Sequence, residues 1–581
     1  MAEHLSLQER RTRTVNHIHA RLAGFGAKAN AFTTSPEPRT IGAVARGRQL
    51  LAGNFLFAGR LIEAPDTSIW KIRMPTGRFA MEVHGCAWLD DLAALGSPEA
   101  RAAAQTWVLE WIALYGAGKG EGWSPDLTGR RIIRWINHAL VILRGAEPKQ
   151  SQKFYAALAR QTTFLSRRWR AAGAGLPRTE ALAGLVYAGL ALEGMEKLVG
   201  PAVDALAGHC DSQIDSSGGI ASRNPEELLE VFNLLAWVKV ALKDSGHRVP
   251  PSLHDALERV APTLRALRHA DGDLARFHGG GRGVEGRLDR ALANARIKAT
   301  PRSGLAMGYA RLSAGRTSVV IDAAAPDAAP TGFAAHASTL AFELTSGRRP
   351  IVVNCGSGRD FGADWRRAGR ATPSHSTLSL TGLSSSQLGP ETWRGGILRE
   401  YLVNAPDDVR AQITRSPEGM QFEGGHNGYA DSHGLTHARM MDLSFDGRAL
   451  VGEDLLATID PKSRRQFDAA LDDTALTGVP FNIRFHLHPE VEPTLDMGGT
   501  AVSMTLKSGE VWVFRHDGVG ELALQPSVYL EKGRIRPRTT KQIVLSARAI
   551  DYATRIRWSF AKAQDSEGAI RDLAPATAET D

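Results

Sequence analysis

Apolar positions recur along this chain at two different periods, and the change falls near the middle. From Ser97 to Leu114 (SPEARAAAQTWVLEWIAL) they return every three or four residues after a Ser-Pro-Glu start, which predicts an amphipathic helix with a serine cap. The same spacing recurs over 127–143, 150–171, 178–198, 201–213, 225–242 and 251–268, with Gly, Pro and Ser in between. Helices of this length on short connections predict stacked antiparallel pairs that curl into an α/α toroid. After Arg302 the period drops to two. GYARLSAGRTSVVIDAA, STLAFELTSGRRPIVVNCG, HARMMDLSFDGRALVGEDLLATID and AVSMTLKSGEVWVFRH alternate apolar and polar residues, and SAGR, TSGR, SFDGR and LKSGE supply the turns. Many strands with hairpin signals and no intervening helix predict an antiparallel β-sandwich.

The expected fold class is therefore α+β multidomain, with an N-terminal incomplete α/α toroid followed by a C-terminal antiparallel β-sandwich. The boundaries read as an extension packing on the toroid over 1–60, the toroid over 61–300, the sandwich over 301–565 and a disordered tail over 566–581. A chain of 581 residues easily supports two such units. Its formal net charge of +8 is scattered, with no basic run and no stripe interleaved with aromatics, so nucleic acid is not an expected partner. An anionic substrate suits the charge better. Cys86, Cys210 and Cys355 are too few and too isolated for a disulfide framework or a thiolate metal site. The N-terminus shows no apolar stretch with a cleavage site, and the longest apolar runs fall well short of the ~20 residues of a membrane span. A cytoplasmic location is expected.

Three histidines stand at strand ends among small residues: His336 in AHASTLAFEL, His375 in PSHSTLSL and His426 in HNGYADSHGLTHARM. With Asn354, Arg367 and Arg370 in the same half, they suggest a polysaccharide-acting site. His426 and Tyr429 sit in the segment richest in groups that can move a proton, and Arg367 and Arg370 can fork onto carboxylates or sulfates. Among the helices, Arg131, Trp135 and His138 share one face, a pairing of charge and ring that sugar recognition uses. Arg223 and Asn224 lie in SRNP, a loop ending at a helix start. Phosphate loops, HExxH and GxSxG are absent from the sequence.

The ordered series WSPDLTGRRIIRWINHAL, SSGGIASRNPEEL, AHASTLAFELTSGRRPIVVNCGSG, RATPSHSTLSL and HNGYADSHGLTHARMMDLS resembles the heparinase II/III-like family, most closely its bacterial branch without a readable signal. That resemblance implies β-elimination on an acidic, uronate-containing polysaccharide or oligosaccharide. One group must neutralise the uronate carboxylate, a base must take the C5 proton and an acid must protonate the leaving oxygen. By resemblance, Arg370, Arg223 and Asn224 would neutralise the carboxylate, His426 or Tyr429 would carry the proton, and Arg131, Trp135 and Arg367 would bind sugar. The toroid departs from the pattern: LPRTEALAGLVYAGL lacks the family's Asn-His pair, and SRNPEEL places Glu227 where its tyrosine base stands. Metal-carrying members hold zinc at positions matching His336, Asn354 and His375, although the amide of Asn354 replaces a carboxylate. The alternative for those three is a hydrogen-bonded brace between strands. The alternative for the whole chain is a non-catalytic glycan-binding or envelope-polysaccharide assembly protein, for which envelope or periplasm is the other location. Hydrolysis by Glu227 and Glu230 is a third, weaker possibility.

Overall fold

The computed structural model describes residues 7–26, 28–34, 37–40, 42–284, 286–297, 304–328, 332–394 and 397–563. The expected tail at 566–581 and part of the junction, 298–303, lie outside them. Up to Ala295 the chain is almost entirely helical. The long helices are Pro98–Tyr115, Pro125–Asn137, Pro148–Arg168, Leu176–Ala191, Val199–Gln213, Pro225–Asp244 and Pro251–Ala266. Several start where the sequence places a cap followed by proline: Ser97 accepts from Ala100 N–H, and Asn224 accepts from the N–H groups of Glu226 and Glu227. Helices Pro125–Asn137, Leu176–Ala191 and Pro225–Asp244 are buried on nearly every face, so they form the inner layer.

From Tyr309 the chain forms two antiparallel eight-stranded sheets among the described residues. One runs in the order Val409–Arg415, Gly419–Tyr429, Leu435–Ser444, Ala449–Ala457, Ala553–Lys562, Val511–His516, Ala501–Leu506 and Val491–Asp496. The other runs Glu521–Tyr529, Arg538–Ala549, Val479–Leu487, Arg349–Val353, Phe342–Ser346, Thr317–Asp322 and Tyr309–Ala314, with Leu378–Leu380 pairing on Val479–Leu487. Their facing sides share one core that includes Phe342, Phe485, Phe514, Trp558 and Phe560. Each turn glycine read from the sequence adopts the left-handed backbone that a hairpin demands: Gly315 (φ 54°), Gly347 (φ 55°), Gly447 (φ 68°) and Gly509 (φ 81°).

The sandwich differs from expectation in carrying helices. Pro461–Asp473 is capped by Asp460, and Ala363–Ala368 lies on the loop before His375. Pro461–Asp473 buries only Ser463, Phe467 and Ala470, a signal too sparse for an apolar period to reveal.

The two halves are locked together. Tyr309, Val320 and Ala341 of the sandwich join the helical core. Arg223 reaches from the loop before Pro225–Asp244 to Asp322 at 2.5 Å, Arg78 reaches Asp360 at 2.9 Å, and Lys532 reaches Glu226 at 2.8 Å.

Candidate functional site

Arg78 and the start of Pro225–Asp244 face the sandwich segment 357–370, and this seam holds Glu227, Arg367 and Arg370 of the candidate residues. On the helical side, Arg78 donates to Arg359 O and Asp360 Oδ1, while Glu227 sits in the first turn of Pro225–Asp244. Burial raises the proton affinity of Glu227, with Ser222 and Arg359 opposing the shift. One helix over, Glu180 is also raised by burial, to about 7, against the pull of Arg130 at 2.5 Å.

Facing them, Arg359, Arg366, Arg367 and Arg370 come from one short stretch. Arg359 is pushed down to about 10, first by burial of its stem among neighbours and then by the charges of Arg78 and Arg366. Arg370 is also lowered to about 10, by burial and by Arg366 and Arg367, while Glu400 opposes. Secondary to burial, the charge of Arg78 acts on both Arg359 and Arg366, so guanidinium groups from the two domains lie near one another. Arg367 is half-exposed and pairs with Glu400 at 2.8 Å. Arg370 is buried; its Nε holds Ala335 O, one Nη holds Glu400 O, and Nη2 has no partner among the described residues.

Beneath the seam lies a buried imidazole cluster. His336 and His375 have ring centroids 5.2 Å apart, and His278 is 6.2 Å from His336. His278 Nδ1 accepts from His336 N–H, which leaves its Nε2 proton facing Asp322 at 3.2 Å. Burial would raise Asp322, but Arg223, His278 and Ser338 more than offset it and hold the carboxyl well below its usual range. Burial pushes His375 down to about 3 and His336 far below the usual imidazole value, so both stay neutral.

Among the described residues His336 Nδ1 and both ring nitrogens of His375 lack hydrogen-bond partners, which makes zinc worth testing against this cluster. The third residue of the set turns away: Asn354 Oδ1 accepts from Ser376 N–H, and its Nδ2 lies 3.4 Å from Glu343. Asp322 is already engaged by Arg223 and Ser338. Among the described residues no group of three or more His, Cys, Asp or Glu side chains is disposed to hold a metal ion. Two imidazoles and an engaged amide do not fit zinc.

Several residues singled out in the sequence lie elsewhere. His426 and Tyr429 are sealed inside the sandwich. Gly428 N–H donates to His426 Nδ1, so His426 Nε2 donates to His437 Nδ1 at 3.2 Å, and His437 Nε2 donates to Asp454 at 2.7 Å. Arg439 clamps both oxygens of Asp454. The two histidines meet because they are cross-strand partners, and they are satisfied as neutral rings. Tyr429 is fully buried, donates to Leu378 O and is pushed up by burial. Neither residue faces the seam as a free proton carrier.

Arg131 and Trp135 share a face as expected, but it is the core face. Both are 0 % exposed: Arg131 covers Trp111 at 4.0 Å and donates to Gln161, and Trp135 stacks on Phe154 at 5.6 Å. They brace the helical domain, and neither side chain reaches its surface. Arg223 is likewise engaged inside the protein, donating to Met307, Gly308, Ala324 and Ala325 carbonyls as well as Asp322. Asn224 is occupied as a helix cap.

Residues 296–559 match the family model described as heparinase II/III-like, C-terminal. The FtsZ-localized protein C of Caulobacter vibrioides (strain NA1000 / CB15N) is 30% identical over 533 residues, which cover 90% of this chain and 88% of that protein. The chain belongs to the heparinase II/III-like family. Its fold is that of heparinase III, a crystal structure with TM-score 0.68 at 13% identity, covering 97% of this chain and 93% of that one. A heparan sulfate lyase HepC mutant from Pedobacter heparinus superposes with TM-score 0.58 at 14% identity, covering 96% and 89%.

Within this heparinase II/III-like protein, the residues that sequence reasoning missed are Arg78, Arg359, His278 and Asp322. Arg359 stands in SGRDFG, eleven residues before Arg370, and the run of arginines over that stretch was a readable signal. Asp322 closes the otherwise apolar strand TSVVID, where a buried carboxylate demands a cation.

Proposed function

We propose that this heparinase II/III-like protein binds a uronate-bearing acidic glycan along the seam between its two domains without cleaving it. One observation carries the reading: guanidinium groups remain at the seam, whereas His426 and Tyr429, the proton carriers that the family resemblance supplies, are hydrogen-bonded inside the sandwich. Charge recognition is thereby separated from proton transfer. Arg359 keeps solvent access, so an incoming carboxylate or sulfate meets an exposed guanidinium with the charges of Arg78 and Arg366 beside it. A relative named for its localisation with FtsZ supports a place for this chain beside FtsZ.

A second reading, β-elimination, draws on one feature. Glu227 occupies the position of the family's tyrosine and has a raised proton affinity next to Arg359, so it is the residue most able to exchange a proton there. Incubating the purified protein with a panel of uronate polysaccharides separates the two. Saturable binding with no rise in the ultraviolet absorbance of an unsaturated uronate supports glycan binding alone. A steady rise that Glu227→Gln abolishes establishes the lyase, and neither binding nor product removes both readings.

A further inference from the structure

A cavity of about 420 Å³ lies where the segment 269–282, which follows helix Pro251–Ala266, meets the outward face of the second sheet. It shares no lining residue with the seam, and the glycan reading makes no use of it. Its volume falls within the roughly 300–1,000 Å³ of pockets that take a small molecule. A period of two builds the floor: in Phe342–Ser346, Leu344 joins the sandwich core, which turns Glu343 and Thr345 to the other side and into the cavity.

The charged pair on this floor is internally satisfied. Glu343 accepts from Arg276 N–H at 3.0 Å, and the Arg276 side chain donates to Asn354 O at 2.8 Å while covering the Tyr529 ring at 4.1 Å. His488 meets the same ring edge-on at 5.0 Å, so Tyr529 is held from two sides and its hydroxyl has a fixed place. His488 Nδ1 accepts from Glu490 N–H at 3.3 Å, which puts the ring proton on Nε2. Burial pushes this imidazole down to about 3, so it is a neutral donor. The hydroxyls of Thr345 and Tyr529 and the Nε2 proton of His488 have no partner among the described residues. The floor thus offers neutral hydrogen-bonding groups at fixed positions.

The wall adds charge of both signs. Arg534 and Arg538 share Glu531 at 3.1 and 3.3 Å, and Lys507 and Arg349 share Glu490 at 3.0 and 3.3 Å. Two groups stand outside these pairs. Arg348, beside the turn at Gly347, is exposed and makes no ion pair among the described residues, and Asp271 accepts only from Asp273 N–H, at 2.9 Å. A bare oxyanion would be repelled by Asp271, and a neutral sugar would leave the charge of Arg348 unmet. A hydroxylated ring that carries one acid answers both, because hydroxyls donate to a carboxylate while the acid accepts from a guanidinium.

We infer that this cavity binds a single acidic sugar, one ring bearing a carboxylate or a phosphate, with its hydroxyls on Thr345, Tyr529, His488 and Asp271 and its acid on Arg348.

Calorimetric titration of the full-length protein at fixed ionic strength, with glucuronate, glucose 6-phosphate, glucose and inorganic phosphate in separate arms, tests the site. Saturable binding of at least one acidic sugar is expected, and the arm that responds names the acid; glucose and phosphate alone should bind at least about tenfold more weakly. Arg348→Gln and Tyr529→Phe should each weaken the acidic sugar by about tenfold. Arg348 is exposed, so its variant folds, and Tyr529→Phe keeps the ring that Arg276 and His488 hold. Arg557→Gln, on the outward face of the other sheet where Arg557 pairs with Glu453, should leave binding unchanged. Failure of both acidic sugars, equal binding of glucose or of phosphate, or indifference to either Arg348→Gln or Tyr529→Phe overturns the proposal. Binding of the acidic sugar that Arg359→Gln abolishes also overturns it, because the sugar then sits at the seam and the glycan reading stands by itself. Binding of the acidic sugar by a protein that takes up no polysaccharide supports the cavity and removes the glycan reading alone.

Discussion

Replacing Asp322 by asparagine removes one negative charge from the centre of the lock between the two domains. The carboxylate is 0 % exposed and accepts from Arg223 at 2.5 Å and Ser338 at 2.6 Å, with His278 Nε2 at 3.2 Å. Breaking a buried pair by deleting one partner costs about 3–5 kcal/mol, because the remaining charge is stranded. Four backbone carbonyls continue to hold Arg223, which places the expected loss at the low end, about 3 kcal/mol. At roughly 2–4 °C per kcal/mol for a unit of this size, scanning calorimetry should show the sandwich transition falling by about 6–12 °C at neutral pH. The sign of the acid dependence follows from the depressed carboxyl. A folded-state value below the unfolded one contributes stability above the ordinary carboxylate range of about 4, and that contribution is lost as pH falls toward the folded value. The gap between wild type and Asp322→Asn should therefore narrow steadily below about pH 4. A neutral-pH loss under about 1 kcal/mol, or a gap indifferent to acid, would refute the buried-lock account.

Other consequences are simpler to measure. Arg359→Gln should weaken binding of acidic oligosaccharides by about tenfold, and the wild-type affinity should itself fall with added salt; equal affinities by titration would remove Arg359 from the seam's recognition. Tyr429→Phe deletes one internal hydrogen bond, so denaturant unfolding should register a loss of about 1 kcal/mol with glycan affinity unaltered. Dialysis against a strong chelator should leave the melting temperature of the protein unchanged, because His336 and His375 lack a third ligand; a drop restored by added zinc would reverse that conclusion.

The helices and strands were legible because their apolar periods are long and consistent, as in Pro98–Tyr115 with its serine cap and in the hairpin around Gly315. Direction was harder to read than position. In Leu435–Ser444 a period of two puts His437 and Arg439 on the side shared by Leu435, Met441 and Leu443, but nothing in a period says that this side is the dry one. Arg131 and Trp135 failed for the same reason: one helix face was correctly assembled, and packing turned it inward. The SRNP loop looked like exposed ligand-binding chain, yet the left-handed backbone at Arg223 (φ 52°) aims its guanidinium at Asp322, about a hundred residues away. Contacts between distant segments of this kind leave no local trace in composition or spacing. The seam arginines were half visible, since Arg367 and Arg370 stood out and Arg359 shares their stretch, while Arg78 acquires meaning only once the domains meet.

Because Arg223 and His278 on one side and Ser338 on the other share a single carboxylate, and Arg78 bridges to Asp360 nearby, the two domains cannot swing apart like jaws without stranding charge. A ligand that spans the seam, as the proposed glycan would, therefore meets a frame already set and is selected by its fit to that frame rather than by closure around it.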